Sequence, residues 1–449
     1  MKNANSNLLT PADQKKWQAL AQDVLQQAKN QGATAAAVSV DIGTGLSASV
    51  RMGEVDTVAF NRDKGLSLTV YMGHRRGSAS TSDLEAKAIE DVLLAACGIA
   101  NISAEDKCFG LAEADLMARD YADLELYHPW DLAPENAIKL ARECEAIALT
   151  EPQINNSEGA HVSSYGGFHV YANTHGFVGE RMSSRHNIDL ILLTGKGDQM
   201  QRDYYYTTAR DRADLESINQ VAAKATERTL ARVGARRLST RKAAVIYAAD
   251  VAKSLFSHFL SAISGGNLYR RSSFLLDHLN KQIFPEFMHI HEQPHLLKGL
   301  ASAAFDAEGV KTQAKDFIKA GCLCSYALGS YSARRLGLQT TANAGGVYNL
   351  MVEPKDMTRA ALLKKMNTGL LVTELIGQGI DIVNGDYSRG AAGFWVENGE
   401  IQYPVHEITI AGNLRDIFMG IQAIANDIDT RSSIQTGSVL IDTMMIAGE

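Results

Sequence analysis

Two stretches of this chain limit its fold more than any other feature. From Thr34 to Thr81, and again from Ile154 to Thr208, apolar and polar residues alternate in short runs separated by glycine-bearing turns. A period of two sends successive side chains to opposite faces of a strand, so each run reads as a strand with one buried face. In the first stretch the runs are Ala36–Asp41, Leu46–Arg51, Thr57–Asn61, Leu66–Met72 and Arg75–Ser80. Gly43-Thr-Gly45, Met52-Gly53, Asp63-Lys64-Gly65 and Gly73 are predicted to be their hairpin turns. In the second stretch the runs are His161–Ser164, Phe168–Asn173, Gly176–Ser183, Asn187–Leu193 and Asp203–Ala209. Helical patterns flank both. Residues 9–31 carry Thr10 as N-cap, Pro11 at the first helical position and Asp13 in the first turn, with Gly32 as the stop. Asp83–Ala100 (capped by Ser82), Pro134–Thr150 and Leu215–Arg232 are the other predicted helices. Helix, hairpins and helix therefore occur twice. That order predicts an α+β fold and suggests a degenerate internal duplication, although no residue-level repeat supports one.

Gly234-Ala-Arg-Arg-Leu-Ser-Thr-Arg-Lys242 reads as a joint, which divides the 449 residues into domains 1–235 and 236–449. Beyond it the pattern predicts strands at Ala244–Tyr247, Gly369–Leu375, Gly393–Glu397, His406–Ile410 and Ser438–Ile446. Helices are expected at Asp250 to about Ser264, Met357–Asn367 and Asn413–Ala425. With 44 basic against 51 acidic residues, the net charge of −7 argues against direct binding to nucleic acid. His74-Arg-Arg76, Arg270-Arg271 and Arg334-Arg335 are short basic clusters that read as solvated edges. Five cysteines make an odd set in a long chain, which fits a reducing cytoplasm better than a disulfide framework. Apolar runs such as Val38–Val40 fall far short of the ~18 residues of a membrane span. The first residues, Met1-Lys-Asn-Ala-Asn-Ser-Asn, are followed by no secretory apolar segment.

The loudest chemical pattern is His291-Glu292-Gln-Pro-His295, a literal H-E-x-x-H. In a helix that spacing puts two imidazoles on one face for zinc and leaves the glutamate to activate water. Pro294 inside the pentad removes a backbone donor and clashes with the preceding turn, so the segment reads as a loop or strand. His291, Glu292 and His295 are thus a secondary metal candidate, and His289 and His291 could share a strand face for adventitious metal. Cys322-x-Cys324 has the wrong spacing for a zinc knuckle or a redox pair and reads as buried packing. Phosphate-binding glycine loops and a G-x-S-x-G elbow are absent. Tyr204-Tyr-Tyr206 reads as a strand packed on both faces, and Asp306-Ala-Glu308-Gly309 as a tight acidic turn.

Several long blocks carry a resemblance. Gly265-Gly-Asn-Leu-Tyr-Arg-Arg-Ser-Ser-Phe-Leu275, Pro294-His-Leu-Leu-Lys-Gly299 and Phe305-Asp-Ala-Glu-Gly309 resemble the PmbA/TldE family, also called modulator of DNA gyrase. So do Thr373-Glu-Leu-Ile-Gly-Gln-Gly379, the stretch Gly385-Asp-Tyr-Ser-Arg-Gly through Asn398-Gly399, Arg51-x-Gly-Glu54 and Gly77-Ser-Ala-Ser80. The resemblance implies an α+β N-terminal domain of helices and antiparallel hairpins. It also implies a C-terminal domain built on curved antiparallel sheet with flanking helices. By the same resemblance the chain works with a TldD-like zinc peptidase subunit in a cytoplasmic complex that trims small flexible peptides or proteins, and it is expected to be a homo- or hetero-dimer. TldD chains carry a helical H-E-x-x-x-H and a later Cys as metal ligands. Anchored on Tyr269-Arg-Arg271, those positions fall on Ser257, His258 and Ala262, or one residue later on His258, Phe259 and Ile263, with Thr436 at the Cys. At most one metal-binding side chain survives, where zinc wants three protein ligands plus water. The chain is therefore expected to hold no cofactor, with zinc in the TldD partner, and a lone His258 reads as a core or interface group. Arg270, Arg271, Asp386 and Arg389 are the substrate or interface candidates. Two other readings stand beside this one: a metallopeptidase in its own right, and a non-proteolytic modulator binding gyrase or its inhibitors.

Overall fold

The computed structural model describes residues 10–448. Its first half runs α1 (Pro11–Asn30), β1 (Ala35–Arg51), β2 (Glu54–Met72), β3 (Arg75–Thr81) and α2 (Ala86–Ile102). The same order follows in α3 (Pro134–Ala148), β4 (Ile154–Asn173), β5 (Val178–Thr194), β6 (Gln201–Ala209) and α4 (Ile218–Ala231). β1 pairs with β4, so the six strands make one antiparallel sheet, ordered β3-β2-β1-β4-β5-β6. Alternation decides which face is covered. Ala36, Val38 and Val40 pack with α1 and α2, and Leu46, Ala48 and Val50 further along β1 pack with α3 and α4. Thr10 and Asp13 form the capping box that starts α1, as the sequence predicts, while residue 9 lies outside the described residues.

Several predicted turns are not turns. Gly43-Thr-Gly45 and Asp63-Lys64-Gly65 lie inside single continuous strands of 17 and 19 residues. None of these glycines has a positive φ. Gly43 is glycine for another reason: a Cβ there would sit 2.1 Å from the Tyr165 hydroxyl, whose ring crosses β1 from the neighbouring strand. β4 and β5 likewise each merge two predicted runs. Met52-Gly53 is a true turn, with both residues at positive φ (51° and 80°), the primed geometry that matches strand twist. Ser82 is not the cap of α2, whose N-cap is Glu85.

The second half contains β7 (Arg241–Tyr247), α5 (Ala249–Ala262), α6 (Gly265–Tyr269), β8 (Ile290–Glu292), β9 (Lys315–Lys319), β10 (Cys322–Leu323), α7 (Ser330–Leu336) and β11 (Leu350–Val352). It continues through α8 (Arg359–Met366), β12 (Gly369–Ile376), β13 (Asp386–Glu397), β14 (Glu400–Asn413), α9 (Leu414–Met419), β15 (Ile421–Ile424), β16 (Ile434–Gln435) and β17 (Val439–Ala447). One sheet is ordered β14-β13-β12-β7-β17-β15, and a further β14–β17 pairing closes it on itself. Curvature is therefore complete, but the sheet is mixed, because β7 and β12 run parallel. The other is ordered β10-β9-β8-β11-β16. The helix predicted over Asn413–Ala425 stops at Gly420, and Ile421–Ile424 pairs with β17 instead. Cys322 is half-buried and Cys324 exposed, so this pair is not the buried packing the sequence suggests. Among the described residues no helix is long and apolar enough to cross a membrane.

Candidate functional site

α5 carries Ser257, His258 and Ala262, three of the four positions singled out by the resemblance, and Thr436 directly follows β16. Ala252, Leu255, Phe256, Phe259 and Ala262 recur at helical spacing and are buried, which fixes the roll of the helix against β12 and β16. Asp250 in the first turn favours the helix dipole and binds Arg228 of α4 at 2.8 Å. The opposite side of α5 is wet. Ser257, Ser261 and Ser264 line a cleft of about 540 Å³ with Tyr269, Tyr331, Glu308 and the loop around Gly345-Gly346. Gly265 permits this approach, since a Cβ there would meet the Ser332 hydroxyl at 2.2 Å. The Glu308 carboxylate accepts the Ser330 backbone N–H at 2.8 Å, which ties two lining segments together. Asp306 lies behind it, accepting backbone N–H groups of Glu308, Val310 and Ala344, and burial pushes its carboxyl up to about 7. Tyr331 and Ser261 were not singled out from the sequence, and Glu308 stood out only as part of a tight acidic turn, because only the fold brings segments 257–269, 308 and 331 together.

His258 points away from this cleft, toward the closed sheet. Its ring meets Tyr387 edge-on at 6.0 Å, and Tyr387 shares a hydrogen bond with Tyr247. His258 Nε2 and Arg389 Nε are both buried without a hydrogen-bond partner. Burial, reinforced by the Arg389 charge, lowers the His258 pKa to about 4. Ala262 and Thr436 are fully buried, and the Thr436 hydroxyl donates to the Gly437 carbonyl at 3.1 Å. Ser257, His258, Ala262 and Thr436 thus supply one imidazole, an alanine, an exposed hydroxyl and a hydroxyl already engaged. A guanidinium occupies the same neighbourhood. This donor set does not fit zinc, which needs three protein ligands and repels a neighbouring cation.

A buried neutral His258 makes stability pH-dependent. Its folded pKa lies below the unfolded value of about 6.5, so the unfolded chain takes the proton first and stability falls with acid between pH 6.5 and about 4. His258→Asn is expected to remove about 2 kcal/mol of the stability difference between pH 7 and pH 5, read from urea unfolding at both values. An acid dependence identical in the two proteins would contradict the assignment.

The H-E-x-x-H pentad is extended rather than helical, and His291, Glu292 and His295 do not converge as that pattern requires. His291 and Glu292 are successive residues of a strand and face opposite ways. Glu292 is fully buried, held by Lys315 at 2.6 Å, Asn343 at 2.9 Å and the Tyr348 N–H at 2.6 Å. His295 bonds the Thr312 hydroxyl at 3.0 Å. The described residues contain no metal-sized grouping of His291, Glu292 and His295. Of the other candidates, Arg270 is exposed and lies 5.4 Å over the ring of Tyr269, at the cleft. Arg271 is exposed at φ 58°. Asp386 is exposed and accepts from Asn413 at 3.2 Å, while Arg389 of the same strand reaches the buried tyrosine pair.

Comparison with known proteins places this geometry. Three family models match in succession: PmbA/TldA metallopeptidase domain 1 over residues 36–100, the central domain over 127–233 and the C-terminal domain over 240–448. A protein of Escherichia coli O157:H7 described as metalloprotease PmbA is 49% identical, covering 95% of this chain and 94% of that protein. A metalloprotease PmbA homolog of Haemophilus influenzae is 46% identical over 99% of both. The crystal structure of a proposed modulator of DNA gyrase from Bacteroides thetaiotaomicron superposes with a TM-score of 0.90 at 27% identity, covering 98% of this chain and all of that one.

Proposed function

Because this chain belongs to the PmbA/TldD metallopeptidase family, we propose that it is the non-catalytic subunit of a two-chain cytoplasmic zinc peptidase acting on small flexible polypeptides. In this reading a TldD-type partner holds the catalytic zinc. The observation that carries it is the degenerate donor set around α5, where His258 stands alone beside the Arg389 charge. The cleft on the other side of α5 supports a holding role. Its serine and tyrosine hydroxyls, loop backbone and single carboxylate, Glu308, can hydrogen-bond an extended chain, whereas a folded domain cannot enter.

The test is hydrolysis of an unstructured peptide by the purified chain, alone and mixed with a TldD-type chain, both with added zinc. The expected result is no cleavage by this chain alone and chelator-sensitive cleavage by the mixture. Cleavage by this chain alone would overturn the proposal, and so would a mixture no faster than the TldD-type chain by itself.

A further inference from the structure

One face of the β9, β8 and β11 strands gathers two imidazoles and two carboxylates. His289 and His291 are two residues apart along β8 and its approach, so they share a face, with ring centroids 4.8 Å apart. Antiparallel pairing brings a carboxylate from each side. Asp316 of β9 stands opposite His291, and Glu353, just past β11, donates its backbone N–H to the His289 carbonyl at 3.1 Å. His289 Nδ1 lies 2.8 Å from Glu353 Oε1, and His291 Nδ1 lies 3.6 Å from the same oxygen. His291 Nδ1 is buried and has no hydrogen-bond partner.

We propose that His289, His291 and Glu353 bind one divalent transition-metal ion of the zinc type, with Asp316 orienting His289. Zinc at 2.0–2.2 Å from tetrahedral N and O ligands sets those atoms roughly 3.4 Å apart. The three ligand atoms here already lie within 4.8 Å of one another, so side-chain rotation alone closes the site. The outer contact is the one such sites require. His289 Nε2 meets Asp316 Oδ1 at 2.8 Å, so Asp316 can hold the Nε2 proton while the ion displaces the proton from Nδ1, which lies beside Glu353. Two imidazoles and one carboxylate select zinc, cobalt, nickel or copper over magnesium or calcium. Glu353 is half exposed, so a fourth position remains open to water. Glu292, next in sequence, takes no part, because it faces the interior. The bound ion ties β8 to β11 and acts apart from peptide cleavage.

The untagged full-length chain, stripped with chelator, is titrated with Zn²⁺ by calorimetry and with Co²⁺ as a spectroscopic probe. One equivalent is expected, with visible cobalt absorption characteristic of low coordination number and a zinc-dependent rise in Tm. Glu353→Gln, a change at a half-exposed position, is expected to weaken binding tenfold or more, and His289→Ala/His291→Ala to abolish it. Asp316→Asn is expected to weaken binding about tenfold while the stoichiometry stays at one. No uptake by the parent chain, or equal uptake by the His289→Ala/His291→Ala variant, would overturn the assignment. These readings do not involve activity, so they stand or fall separately from the peptidase proposal.

Discussion

Lys315→Met is expected to destabilise the protein by about 3–5 kcal/mol, because it strands a fully buried carboxylate. Lys315 Nζ binds Glu292 at 2.6 Å and also reaches Asn343 and the Thr341 carbonyl. Without it Glu292 keeps only two neutral donors, the Asn343 amide and the Tyr348 N–H. Burial already pushes the Glu292 carboxyl up, and the ammonium opposes that shift. Removing the ammonium raises it further, above the unfolded value of about 4.3. A group raised in this way favours the folded state only below its unfolded pKa, and the advantage is lost as pH rises through the folded value. The deficit of Lys315→Met is therefore largest near neutrality and shrinks as the solution is acidified toward pH 5. Glu292→Gln, which carries no charge, is expected to show a smaller loss without that pH trend. Glu292→Leu/Lys315→Met removes both charges and should recover much of the stability, though it leaves the Tyr348 N–H unpaired. Urea unfolding of the variants at pH 5 and 7.5 checks all three. A deficit below about 1 kcal/mol, or one that grows in acid, would contradict the account. The result matters for function. Asn343 lines the cleft beside α5, so Glu292 holds that wall from behind and activates no water.

The same residues show what the sequence could reveal. Pro294 correctly signalled that His291-Glu292-Gln-Pro-His295 is not a helix, because a local backbone rule decides that point without tertiary context. Thr10 and Asp13 predicted their cap for the same reason. Gly43 misled because the sequence shows that a side chain is missing there without showing why. The cause is the Tyr165 ring, more than a hundred positions away in the chain and adjacent only after β1 and β4 pair. The sequence could place Ser257, His258 and Ala262 on one helix, and they share α5. That Arg389 stands beside His258 was not legible, since it depends on β13 closing against α5 through the tyrosine pair. Glu353 is likewise invisible from His289 and His291 until β8 and β11 align. Local chemistry was readable, and sites assembled across strands were not.

Arg232→Met is expected to cost about 3 kcal/mol, because Arg232 is the most deeply buried of the charges that fasten the first half of the molecule to the second. It leaves the end of α4 and binds Asp203 of β6 at 2.6 Å while also bonding Glu374 of β12. Its side chain is 10% exposed and that of Asp203 only 4%. Arg228 holds the other Asp203 oxygen at 3.1 Å and Asp250 at 2.8 Å, so one turn of α4 grips a strand of each large sheet and the start of α5. Arg228 still answers Asp203 in the variant, which keeps the expected loss at the low end for a broken buried pair. Arg232→Lys keeps the charge but not the fork that reaches two carboxylates, and is expected to lose about half as much. Salt separates this joint from a surface pair. The Arg232 loss should persist at high ionic strength, since a desolvated pair is poorly screened. Arg237 and Glu407 form another ion pair, but both are about half exposed, and Arg237→Met should change stability little at any salt concentration. Denaturant unfolding followed by tryptophan fluorescence reads both effects, because Trp130 reports the first half and Trp395 the second. An Arg232→Met penalty that vanished in salt, or that fell no further than that of Arg237→Met, would mean that apolar contacts such as Phe177 against Phe305 hold the halves together without the buried charges.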